Sequence, residues 1–178
     1  MRDLGLGVGA AVWAAVAMTA GDWIWATLAL EHRPQYGLAH GTLLCVWMGG
    51  YFGLVAGRIA MGKLLGGLVG LLAAASFYVL APVFGYSAMF LSWVGLWFGL
   101  AAVVQYLSGG AITARPALVR AGLAATGSGV AFYAVSGIWM HPAAEVNYLW
   151  HFAAWTIAFA PGCLALLGRG RGGRGLAP

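Results

Sequence analysis

The chain has 178 residues, of which 62% are hydrophobic and 7% charged, with a formal net charge of +5. Soluble domains carry about 45–50% apolar and about 25% charged residues. The composition therefore excludes a soluble enzyme, a disordered regulator and a nucleic-acid binder, and marks an integral membrane protein.

A bilayer core of roughly 30 Å takes about 20 apolar residues per helix. The first predicted span covers residues 5–29. Arg2 and the small-residue runs near Ala17 and Ala20 imitate a signal peptide. The apolar pattern, however, continues to Leu30, past the roughly 7–15 residues of a signal core, which predicts a retained helix. The second span, 38–58, carries Gly49, Gly53 and Gly57 at every fourth position. Such a face suits close helix packing inside the bundle or a homo-oligomer seam.

From Leu64 to Ala114 run 51 consecutive uncharged residues. As one helix they would reach roughly 75 Å, so the segment must fold back. Pro82 and Gly85 punctuate it, giving spans 64–84 and 87–108, and Gly66/Gly70 and Gly95/Gly99 add small faces. The fifth span, 117–139, is interrupted by Thr126-Gly127-Ser128-Gly129, either a packing face or a locally unwound site. The sixth, 147–167, contains Pro161-Gly162, which predicts a kink whose freed carbonyl a neighbouring helix satisfies.

The expected architecture is all-α: one polytopic domain of six transmembrane helices over 1–167, followed by a short basic Gly/Arg tail at 168–178. Six spans place both termini and the turns near 58–63 and 109–116 on one side. That side holds Arg2, Arg58, Lys63, Arg115, Arg120, Arg169, Arg171 and Arg174, and the other holds only Arg33. The positive-inside rule makes the basic side cytoplasmic, and predicts a multi-pass protein of the cytoplasmic (inner) membrane. The tail reads as a stop lying against anionic headgroups, so the lipid bilayer is the expected partner and nucleic acid is not. Cys45 and Cys163 differ in depth by roughly 10 Å, beyond disulfide reach, and read as core residues. Trp23, Trp25, Trp139, Tyr148 and Trp150 suit an outer aromatic belt, while Trp47, Trp93, Trp97 and Trp155 lie deeper.

The polar residues are segregated. His32, His40, His141, His151, Asp22, Glu31, Glu145 and Asn147 all fall on the outer side. An intramembrane carboxylate such as Asp22 is by default a functional-site hypothesis; the alternative is a pair with Arg33 or a histidine just under the interface. His40 and His151 open spans 2 and 6 at matching depth. Facing histidines can ligate haem iron or share a transition metal, which makes these two the metal candidates. The leading expectation is an outward-facing polar pocket that binds or transports a small molecule, proton or metal ion. Asp22, His40 and His151 form its floor, and Glu31, His32, His141 and Glu145 its mouth.

A second reading comes from Gly85-Tyr86-Ser87-Ala88 at the start of span 4, taken with His40 and His151. This arrangement resembles the rhomboid intramembrane proteases, whose GxSG serine on helix 4 and histidine on helix 6 form a catalytic dyad. The resemblance implies Ser87 as nucleophile, His151 as its general base and His40 as a contributor to the oxyanion site. The chain departs from the family pattern at Ala88, Leu44, Ala154 and Ala158, and in its short first loop. A third reading is a structural subunit of a membrane complex, packed through the Gly49, Gly53 and Gly57 groove.

Overall fold

The computed structural model describes residues 2–28, 34–135 and 147–168. They form six α-helices: α1 (Arg2–Thr27), α2 (Pro34–Val55), α3 (Ile59–Phe84), α4 (Ala88–Leu107), α5 (Ala114–Val135) and α6 (Tyr148–Leu167). All six are long and apolar enough to cross a membrane. The surface agrees with that reading: Leu64, Val79, Val83 and Leu149 are exposed, and an apolar exterior on this scale is complementary to lipid tails rather than to water.

The helices form an antiparallel ring in chain order, closed by α6 returning to α1. The α2–α3 seam is the most extensive and the α1–α2 seam the thinnest between sequential helices. Glycine explains the first. A Cβ at Gly49 would strike the Gly62 carbonyl, one at Gly66 the Cys45 carbonyl, and one at Gly53 would come within 2.7 Å of the Arg58 carbonyl. Without side chains the two backbones approach closely, and dispersion replaces the hydrophobic effect that lipid cannot supply. Gly49 and Gly53 are thus engaged inside the bundle. Gly57 lies in the turn at φ +69°, a left-handed conformation that favours glycine. Gly95, by contrast, faces open space.

That turn is shorter than the sequence predicts. Arg58 N–H bonds the Gly53 carbonyl at 2.6 Å, and α3 begins at Ile59, five residues earlier than expected. Lys63 is accommodated because its aliphatic stem lies against Gly50, leaving the ammonium free to reach toward the interface. Pro82 sits within the last turn of α3; the chain reverses at Gly85, whose φ is +56°.

Inside the ring, Trp93, Trp97, Phe132, Trp155 and Phe159 form one aromatic cluster, with centroids 5.2–6.1 Å apart. Ser128 explains the polar interruption of α5. Its buried hydroxyl accepts the Gly162 N–H at 2.9 Å, one residue after Pro161 disturbs α6. The fifth helix is continuous there, so the TGSG segment is a packing face against α6. Cys45 and Cys163 are both free and buried.

Candidate functional site

Asp22 lies one turn before the end of α1. Its Oδ2 accepts the His151 Nδ1–H at 2.8 Å and the Trp155 Nε1–H at 2.7 Å. A carboxylate only accepts, so this bond assigns the proton to Nδ1. Both donors come from α6, one turn apart and therefore on one face. His151 is buried, and the Asp22 side chain is 23% exposed. In an apolar bundle, mutual satisfaction of this kind is what makes a carboxylate tolerable.

The outward-facing polar pocket expected from the sequence is therefore corrected. Asp22 and His151 are spent on one another as a buried pair that ties α1 to α6. The reason is proximity of complementary groups. The closing α1–α6 contact brings an acceptor against two donors, and in low dielectric they bond to each other. Glu31, His32, His141 and Glu145, the proposed mouth, lie outside the described residues, as do Arg33 and Trp139.

His40 stands nearby but on a different surface. Its ring packs on the Gly21 backbone, next to Asp22 in sequence. Its Nε2 lies 3.3 Å from the Met18 sulfur, and its ring centroid 6.2 Å from that of Trp25. Asp22, His40 and His151 thus share one level of the bundle, and the direct bond is between Asp22 and His151. Among the described residues, no three His, Cys, Asp or Glu side chains gather as a metal-binding group.

No hydrogen bond joins Ser87 to His151 or His40 among the described residues. Ser87 is exposed beside Phe84, Phe90, Leu91 and Tyr133, and its hydroxyl makes no hydrogen bond among the described residues. His151 faces Asp22 and Trp155 instead, and His40 faces Met18 and Gly21.

Ser87 borders a shallow space of about 560 Å³, and two further cavities lie between helices. A cavity of about 480 Å³ occupies the thin α1–α2 seam toward the C-terminal end of α1, walled by Val16, Ala17, Ala20, Ile24, Leu43 and neighbouring residues. A second, of about 240 Å³, lies deeper among α2, α3 and α4. The two share Trp25, His40 and Leu44 in their walls. Among the described residues, neither is lined by Asp22, His151, an arginine or a lysine. Below the first cavity the seam is clamped. Trp13 and Trp47 stack with centroids 4.2 Å apart, each indole donates to the other's backbone carbonyl, and the Tyr51 hydroxyl reaches the Leu6 carbonyl.

Of the residues that matter here, sequence reasoning found Asp22, His40 and His151 and placed Trp155 among the deeper tryptophans without its bond to Asp22; it did not find Met18 or Leu43. Met18 and Trp155 carried a signal. Met18 lies four residues before Asp22, and Trp155 four after His151, so each shares a helix face with a residue already singled out. Comparison of the chain with known protein families, with curated proteins and with solved structures yields no match.

Proposed function

We propose that this is a multi-pass protein of the cytoplasmic (inner) membrane, with both termini inside, that binds a lipid-soluble molecule admitted sideways from the bilayer between α1 and α2. The carrying observation is the pair of apolar cavities that share Trp25, His40 and Leu44 in their walls. The outer one sits in the weakest seam of the ring, at the lipid-facing surface. Apolar space at that depth is matched to hydrocarbon, and together the two volumes fall within the roughly 300–1,000 Å³ of small-ligand sites.

The division of labour along α1 supports this reading. Asp22 fastens the outer part of α1 to α6, while Trp13 fastens its middle to α2. Between those two anchors, α1 and α2 touch through His40, which packs on Gly21 and Met18, and leave the cleft beside that contact. A cleft that is braced on both sides and unfilled by the described residues is available for a guest. The inside position of the termini rests on the eight-to-one distribution of basic residues.

The experiment is solvent extraction of the purified protein followed by mass spectrometry. An apolar compound should be enriched over bulk lipid at near-stoichiometric yield. It should be lost from Ala20→Trp, which fills the cleft from the α1 wall. A lipid profile identical to that of the surrounding membrane, in both proteins, would refute the reading.

A further inference from the structure

We infer that the guest is one straight acyl chain of about twelve carbons, lying along the α1–α2 cleft with its methyl end at Trp47. This rests on the lateral-entry reading above and specifies its ligand; the cleft measures the chain.

The shape of the cleft argues for a chain. Val16, Ala20 and Ile24 recur at every fourth position of α1 in its wall, as Ala39, Leu43 and Trp47 do on α2. Each set therefore runs up one face of its helix. The cleft is a groove parallel to both helix axes, the direction in which lipid tails lie. Val16, Ile24 and Leu43 are exposed, so its long side is open to the bilayer. A compact guest would leave the ends of the groove unfilled and forfeit the dispersion contacts there.

The antiparallel register of the two helices fixes those ends. Trp25 meets Tyr36 edge-on with centroids 6.3 Å apart, His40 packs on Gly21, and Trp13 stacks on Trp47. The Trp25–Tyr36 level lies where α1 finishes and α2 begins, and the Trp13–Trp47 level near the middle of both helices. Beyond Trp47 the Tyr51 side chain lies against Gly9 and bonds the Leu6 carbonyl, which closes the seam. The groove thus starts near one membrane face and stops near the midplane, so it takes a chain from one leaflet. With the termini inside, that leaflet is the outer one.

Length follows from this geometry. Val16 to Trp25 rises roughly 13 Å along α1, and Tyr36 to Trp47 roughly 17 Å along α2. One leaflet contributes about 15 Å of hydrocarbon, half of the bilayer core. An extended chain advances about 1.25 Å per carbon, from C–C bonds near 1.52 Å at about 111°. The groove therefore holds about eleven to thirteen carbons. A shorter chain leaves a void above Trp47 and a longer one must bend against it; both lose contacts.

The test places the full chain in nanodiscs containing a small equimolar mixture of lysophosphatidylcholines with octanoyl, decanoyl, dodecanoyl, tetradecanoyl and hexadecanoyl chains. Protein-bound lipid is read by native mass spectrometry and normalised to the nanodisc composition. The expected profile peaks at dodecanoyl, with octanoyl and hexadecanoyl each depleted about threefold or more. Trp47→Ala, which removes the stop, should move the maximum to tetradecanoyl or hexadecanoyl. Should that variant fail to fold, photoreactive dodecanoyl probes decide with the unmodified chain. A diazirine on the last carbon should label Val16 and Trp47, and one beside the carboxyl should label Ile24 and Tyr36. A profile that follows the nanodisc composition, or one with its maximum at octanoyl or hexadecanoyl, overturns the inference. So does a maximum unmoved in folded Trp47→Ala, or the reverse order of labelling. If the extraction experiment still yields an enriched compound that Ala20→Trp loses, lateral binding stands with a different guest. If it yields none, both readings fall.

Discussion

Trp13 and Trp47 exchange hydrogen bonds: each indole Nε1–H donates to the other residue's backbone carbonyl, at 3.0 and 2.7 Å, while the rings stack. The pairing fastens α1 to α2 just below the cleft, in the thinnest seam of the ring. In membrane bundles such bonds average about 0.6 kcal/mol. A double-mutant cycle with Trp13→Phe and Trp47→Phe, read by thermal unfolding in detergent, should give a coupling energy of about 0.5–1.5 kcal/mol. Strict additivity would show that the reciprocal bonds do not act as a unit.

The Asp22–His151 pair predicts an asymmetry between its two substitutions. His151→Ala leaves the carboxylate, among the described residues, with the Trp155 indole alone, and should cost about 3–5 kcal/mol, the usual effect of breaking a buried pair. Asp22→Asn keeps an acceptor oxygen and removes the charge, so its cost should be clearly smaller. The order of the two unfolding midpoints checks this. Equal losses would mean that packing, and not the stranded charge, dominates.

The glycines divide into those that a side chain cannot join and those that it can. Gly66→Val drives a branched side chain into the Cys45 carbonyl, and should prevent accumulation of folded protein. Gly95→Ala meets nothing within 4 Å and should fold normally, with a gain of up to about 1 kcal/mol from helix propensity. Expression and size-exclusion profiles of the two variants distinguish them. A monodisperse Gly66→Val protein would contradict the close α2–α3 approach.

Topology reporters test the orientation. A reporter fused after Arg174 or inserted at Gly110 should be cytoplasmic, and one inserted near Pro34 external. The opposite pattern would invert the membrane face from which the cleft opens.

The helices were legible because the bilayer leaves few options: about 20 apolar residues per crossing and a break at glycine or proline. Ends were less legible. Lys63 reads as the last residue of a turn, yet it lies inside α3 because Gly50 makes room for its stem. At the site, Asp22 and His151 stood out as ionisable residues in apolar helices. Their bond to one another depends on α6 closing the ring against α1, a contact between opposite ends of the chain that no local pattern encodes. The cleft was illegible for a related reason. Val16, Ala20, Leu43 and Leu44 are ordinary membrane-helix residues, and only the splay of α1 from α2 turns them into the walls of a cavity.

Photolabelling tests the central claim most directly. The protein is placed in bilayers containing a trace of a neutral single-tailed lipid with a diazirine in its chain, then irradiated, digested and sequenced by mass spectrometry. Lateral binding predicts concentrated labelling of residues 16–25 and 36–47, including Leu44, which is only 8% exposed yet lines both cavities. Ala20→Trp should suppress that labelling without reducing it elsewhere. Labelling that simply follows exposure, strongest at Val79, Val83 and Leu149 at 74–77% and absent from Leu44, would contradict the account.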